Sequence, residues 1–261
     1  MRIRIERVWG WVRAAGRGYS IMELMVTVAV ISALGSLLLP ALSRARAQTR
    51  QAQCLSSLRQ LGLACALYWD DYQQRAFRYR TGKHRDGVIY WFGWLQDGRE
   101  GERAFDPAAG ALQAYLTPST VGLCPSLRYA SSAFKLKASG PAWGFGYNLN
   151  LSAPPASPAI DLSLVADPSR LGVFADSAQI NTFQLPATPE RPLLEEFYYV
   201  HQDEPTVHFR HEEKAQLVFA DGHASGERLR LEAQDLRLPA ARVGRLPAEK
   251  LILQPGRGSS R

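Results

Sequence analysis

Hydrophobic residues dominate one long stretch near the amino terminus of this chain. Residues 24–43 contain no charged side chain. At about 1.5 Å per residue, a helix of this length spans the roughly 30 Å hydrocarbon core of a bilayer. The pattern therefore predicts a membrane-spanning helix over residues 19–43. Glu23 lies near its start, where a carboxylate is unfavourable unless a cation neutralises it.

Past this stretch, hydrophobic and small residues recur at a spacing of three and four. Over residues 44–72 this spacing predicts an amphipathic helix with one apolar stripe and its arginines on the other face. Pro40 predicts a bend and not an end, because a proline inside a helix removes one backbone hydrogen bond. We therefore predict one long helix over residues 19–72, with its second half packed on a sheet.

The rest of the chain alternates short β-forming runs with turn residues, which predicts an α+β fold with a globular, β-rich head over residues 73–225. β-branched and aromatic residues between glycines and other turn formers favour strands. The candidate strands are residues 88–92 and residues 143–148, a short strand that follows a turn within residues 167–176, and residues 215–220, which are a strong candidate.

A tight turn is predicted directly after the last candidate strand. Asp221-Gly222 favours a two-residue hairpin with positive φ, and His223 would begin the return strand. The arginine-rich segment that follows, residues 226–261, contains several prolines. We predict that it forms a peripheral C-terminal arm that is partly disordered.

Charge is concentrated at the amino terminus. The full chain carries +7, but removing the five arginines and one glutamate of residues 1–18 leaves +3. This basic leader predicts a cytoplasmic amino terminus, since positive residues before a span stay on that side. The remaining basic residues are dispersed along the sequence, so we predict no nucleic-acid partner.

Three cysteines leave the disulfide pairing open. If residues 54–65 are helical, Cys54 and Cys65 lie about 16 Å apart, too far for a bridge. Any disulfide must therefore join Cys124 to one of them, and Cys54 with Cys124 is the candidate pair. Buried unpaired thiols are the alternative.

The residues around the start of the apolar stretch resemble the prepilin family, which includes type IV pilins and the pseudopilins of type II secretion. A basic leader ends at Gly18, an aromatic residue follows at Tyr19, and Glu23 comes after Ser20-Ile21-Met22. The alternative is an ordinary signal anchor that contains a glutamate.

The resemblance implies a pilin-like fold, with the long helix followed by an antiparallel β-sheet head. It also implies that prepilin peptidase cuts after Gly18 and methylates Tyr19. Glu23 would then pair with the amino terminus of a neighbouring subunit during filament assembly. The implied partners are the peptidase, other pilin or pseudopilin subunits, the inner-membrane assembly platform and the bilayer. The implied location is a single pass through the inner membrane, with the head periplasmic, or extracellular once assembled.

A second set of motifs resembles a subfamily of prepilin-like proteins named for an H-x9-DG element. Here that element consists of His211, Asp221 and Gly222. Four further segments resemble the same subfamily in the same order: residues 54–62, Cys124-Pro125, residues 146–148 and residues 167–176.

The histidines allow two interpretations. His208, His211 and His223, with nearby carboxylates, supply donors of the kind that bind a metal. Alternatively, His211 bonds to the backbone or to Asp221 and holds the hairpin, with Gly222 present for its φ angle. We favour the second, because no pair has a recognised zinc spacing, and we assign no metal and no cofactor.

The sequence as a whole predicts a structural subunit and not an enzyme. The alternative is a membrane-anchored module that binds a ligand or a metal.

Overall fold

The computed structural model describes residues 19–116, 121–140, 144–154 and 157–253. The predicted leader, including Gly18, lies outside the described residues. In the described part, one long helix, α1 (Ile21–Asp71), precedes a series of short strands. This arrangement confirms the α+β fold class.

The chain divides into two compact units, Met1–Ala47 and Gln48–Arg261, with the boundary inside α1. The described residues of the first unit belong to the start of α1 and the two residues before it. Nearly all of their hydrophobic side chains are exposed. The helix is long and apolar enough to cross a membrane. Pro40 lies within α1 without ending it, as predicted.

The second unit contains all the described strands. In chain order their bounds are β1 (Arg80–His84), β2 (Gly87–Tyr90), β3 (Gly93–Gln96), β4 (Phe105–Asp106), β5 (Phe134–Lys135), β6 (Phe145–Asn148), β7 (Gly172–Asp176), β8 (Gln179–Asn181), β9 (Leu193–Glu195), β10 (Tyr199–Val200), β11 (Val207–His208), β12 (Lys214–Phe219), β13 (Ala224–Arg228) and β14 (Val243–Gly244).

These strands form four sheets. The largest has the order β10-β6-β7-β12-β13, and β1 to β4 form a second sheet in sequence order. Smaller sheets pair β11 with β14 and join β5, β9 and β8. Most pairs are antiparallel, but β6 with β10 and β5 with β9 are parallel. The head is therefore mainly antiparallel, as predicted, and it also contains two parallel pairs and several sheets where one antiparallel sheet was predicted.

The second part of α1 supplies buried side chains to the same core as the largest sheet. Leu58, Leu61 and Trp69 are buried, as the apolar stripe predicts. At Gly62, an added Cβ would lie 2.5 Å from Cγ2 of Val218 on β12. A glycine at this position therefore lets the helix approach the sheet closely.

The segment after β13 is part of the head as far as residue 253, which corrects the predicted peripheral arm. β14 pairs with β11, and Val243, Leu246 and Leu251 are buried. The physical reason is that these apolar side chains fill space beside β11 and β12. In the sequence, the charged residues of the same segment made this apolar pattern hard to see. Residues 254–261 lie outside the described part.

Candidate functional site

The start of α1 holds Glu23 in a capping arrangement. The backbone N–H of Ser20 donates to Oε2 of Glu23 at 2.9 Å, and the N–H of Glu23 donates to Oγ of Ser20 at 3.2 Å. This reciprocal pair is a capping box, which satisfies N–H groups left free at a helix start. The Ser20-x-x-Glu23 spacing signals it in the sequence, but Glu23 was interpreted only as an assembly residue. Tyr19 and Glu23 are both exposed.

A disulfide ties α1 to the loop after β4. Cys54 of α1 is bonded to Cys124, with 5.3 Å between their Cα atoms, and both residues are buried. Cys65 is a buried free thiol, and burial raises its pKa well above the usual range. Of the pairings that the sequence left open, the structure forms Cys54 with Cys124.

His211 lies beside this disulfide. Its Nε2 is 3.6 Å from Sγ of Cys124 and 3.4 Å from Oδ2 of Asp176, and its Nδ1 is 3.5 Å from Oγ of Ser126. The imidazole is almost completely buried. The structure thus corrects the expected contact with Asp221, because His211 faces Asp176 at the end of β7.

Asp176 and Arg210 form the buried ion pair of this site. Nη2 of Arg210 donates to Oδ1 of Asp176 at 2.6 Å, and the side chains are 2% and 0% exposed. Oδ2 of Asp176 accepts the backbone N–H of Gln216 at 2.8 Å. This carboxylate therefore joins β7 to β12 as well as neutralising the guanidinium.

The other N–H groups of Arg210 donate hydrogen bonds to neighbouring residues of the same site. Its Nε donates to Sγ of Cys124 at 3.2 Å, and its two Nη atoms donate to the carbonyls of Ser177 and Gly144 at 3.2 and 2.7 Å. We did not predict a role for Arg210. Its position next to His211 was the only sequence signal, because its partners lie far away in the chain.

A tight turn explains why His211 is fixed in place. The backbones of His211 and Lys214 exchange two hydrogen bonds of 3.0 Å, and the intervening Glu212 and Glu213 have φ of 52° and 64°. Two positive φ values between such a pair are typical of a type I′ turn. The two-residue hairpin thus lies here, at residues without the usual Asn-Gly signature.

The Asp221-Gly222 connection is longer than predicted. Residues 220–223 link β12 to β13, and Gly222 has φ of 88° whereas Asp221 does not have a positive φ. A type I′ turn needs positive φ at both central residues, so the predicted two-residue turn does not form. Oδ1 of Asp221 instead accepts the N–H of His223 at 3.1 Å and lies 2.6 Å from its Nδ1.

The three histidines are not brought together as one donor set. In the part of the chain that the structure describes, the group able to hold a metal is Cys54, Cys124, Asp176 and His211. A disulfide carries no thiolate, which is the form of cysteine that binds metals. The adjacent guanidinium of Arg210 also disfavours a cation. In its disulfide form, this cluster is suited to holding α1, β7 and β12 together.

His208 belongs to the same region but not to that group. It is buried on β11, and its Nδ1 lies 3.4 Å from Nη1 of Arg210. Burial lowers the pKa of His208 well below its usual value, and the nearby Arg210 and His211 lower it further. Burial also lowers the pKa of His211, which Arg210 and Arg50 reinforce and Asp176 opposes.

We expect the free energy of unfolding to fall as the pH is lowered from 7 to 5.5. The unfolded histidines bind protons near pH 6.5, whereas folded His208 and His211 stay neutral to lower pH, so acid favours unfolding. The limiting slope is about 1.4 kcal/mol per pH unit for each such histidine. Urea unfolding of the full chain at several pH values, in micelles of an uncharged detergent, measures this change in the free energy of unfolding. His208→Gln should reduce the slope, because it removes one buried histidine. An unchanged slope in this variant would contradict this account.

Comparison with known proteins finds no matching family model, no matching curated protein and no matching solved structure. The functional argument for this chain therefore depends on its residue pattern and on the contacts described above.

Proposed function

We propose that this chain is a structural subunit of a filament resembling a type IV pilus or a type II secretion pseudopilus. The observation that carries the proposal is the exposed apolar surface of α1 before residue 43. Side chains such as Ile31, Leu34 and Leu38 are each more than half exposed. A surface of this length requires lipid, or the helices of neighbouring subunits, as its surroundings.

The residues before this surface support the same proposal. Gly18 followed by Tyr19 provides the cleavage position for prepilin peptidase, and Glu23 provides a carboxylate close to the amino terminus that cleavage would create. Before assembly, α1 anchors the subunit in the inner membrane with the leader in the cytoplasm. An assembly platform then moves the subunit out of the bilayer, and the head forms the outer surface of the filament.

The second unit supplies a head suited to mechanical load. The disulfide joins α1 covalently to the loop after β4, and the Asp176–Arg210 pair connects that loop to β7 and β12. Force applied to α1 would thus be transmitted to the largest sheet through a covalent bond and a buried ion pair.

Processing of the amino terminus tests the proposal. When the full chain is co-expressed with a prepilin peptidase, we expect mass spectrometry to show loss of residues 1–18 and one added methyl group on Tyr19. Gly18→Val should stay uncut, whereas Gly16→Val, a matched glycine change two positions earlier, should be cut. If the peptidase processes a known prepilin in the same cells but leaves this leader intact, the chain is a tethered domain and not a filament subunit.

A further inference from the structure

The second unit contains a cleft that has no role in the proposed filament. Its volume is about 660 Å³, which lies within the range of small-molecule sites. Its basic lining residues are Arg50, Arg128, His208, Arg210 and Arg242. None of the described residues that line it is an aspartate or a glutamate.

Two of these basic side chains have no counter-charge. Arg210 is neutralised by Asp176, and Arg242 lies 3.5 Å from Glu213. Arg50 and Arg128 are exposed, and within the described parts of the chain their guanidinium groups form no ion pair and no hydrogen bond. The cleft therefore presents two uncompensated positive charges.

The rest of the lining is partly apolar. Pro125, Phe134, Leu194 and Leu238 contribute hydrophobic surface. A cleft of this size would hold far more than one small inorganic ion, because a water molecule occupies only about 30 Å³. The lining therefore matches a ligand that combines an anionic group with an apolar group.

We propose that this cleft binds an organic phosphate monoester whose ester group is apolar. The phosphate, with a charge of about −1.5 to −2 at neutral pH, matches the two free guanidinium groups. Each planar guanidinium can donate two parallel hydrogen bonds to phosphate oxygens, which makes arginine well suited to this anion. The apolar group lies against Phe134 and Leu194.

Binding of phenyl phosphate tests the proposal. The full chain in uncharged detergent micelles is titrated in a calorimeter at about 0.15 M ionic strength, where the Debye length is about 8 Å. Arg50→Gln/Arg128→Gln should weaken binding at least about tenfold, because it removes charge-assisted hydrogen bonds. Phenol, which lacks the phosphate, and inorganic phosphate, which lacks the ring, should each bind more weakly than phenyl phosphate.

A matched pair of arginines outside the cleft provides the control. Arg80 and Arg228 are exposed, so Arg80→Gln/Arg228→Gln removes the same charge without touching the cleft lining. It should change the affinity less than about twofold, because salt screens exposed charges that do not line the cleft. Equal weakening by both double variants, phenol binding as tightly as phenyl phosphate, or no binding of phenyl phosphate would each overturn the proposal. All of these outcomes are independent of leader processing.

Discussion

Replacing Glu23 by Gln should abolish filament assembly while leaving membrane insertion unchanged. In the proposed filament, the carboxylate of Glu23 pairs with the amino terminus of a neighbouring subunit within apolar surroundings. Removing one partner of a buried charge pair is unfavourable by about 3–5 kcal/mol, because the other charge is left unneutralised. Filaments sheared from cells and counted by electron microscopy measure assembly, and membrane fractionation measures insertion.

The choice of Gln separates two roles of this side chain. Glu23 also accepts the N–H of Ser20 in the capping box, and Ala would remove both the cap and the charge. Gln keeps a side-chain oxygen that can accept the same hydrogen bond. A loss of assembly in Glu23→Gln therefore reports on the charge alone.

Ser20→Ala is the matched control for the cap. It removes the hydroxyl that accepts the N–H of Glu23 and leaves the carboxylate in place. We expect it to weaken the helix start by about 1 kcal/mol and to assemble normally. If Ser20→Ala fails to assemble while Glu23→Gln forms normal filaments, Glu23 acts only as a helix cap.

Removing the disulfide should produce the largest loss of stability in the head. The bridge closes a loop with a sequence separation of 70, for which the chain-entropy model gives about 4 kcal/mol. Cys54→Ala/Cys124→Ala should lower the free energy of unfolding by this amount, as measured by urea unfolding in detergent micelles. The variant also removes the sulfur that accepts a hydrogen bond from Arg210.

Cys65 offers a control on the same helix. Cys65→Ala removes a buried sulfur but keeps the cross-link, so we expect a loss of about 1 kcal/mol. Thiol titration of the unreduced, denatured wild-type chain should detect one free thiol. A double variant whose stability is within 1 kcal/mol of Cys65→Ala, or three free thiols in the wild type, would show that the bridge does not form.

Local patterns were sufficient to predict the long helix and some of the strands of this fold. The uncharged stretch and the stripe beyond it predicted α1 close to its observed bounds, because a helix brings residues three and four apart onto one face. The strands β7 and β12 were predicted for a similar reason, since β-branched and aromatic runs between turn residues favour extended backbone. Distance along a helix showed that a bridge, if one formed, would use Cys124. It decided neither that the bridge forms nor whether its partner is Cys54 or Cys65.

The contacts of the site depended on residues that are distant in the sequence. Asp176 and Arg210 are 34 positions apart, and Arg210 and Cys124 are 86 apart. No local pattern specifies such pairs, so the sequence indicated that His211 was important but suggested the wrong partner. The tight turn was misplaced for a related reason: Glu212 and Glu213 adopt positive φ because the flanking residues pair, against their own preference.

The sequence by itself determined a long apolar helix, an α+β head and the cysteine that any bridge must use, because these follow from periodicity and chain geometry. Only the tertiary structure decided that Asp176 and Arg210 would neutralise each other beside the disulfide, and that two arginines would remain free at the cleft. Which charged groups pair depends on their positions in the folded chain and not in the sequence. A charge in the interior is stable only where the fold brings an opposite charge to it.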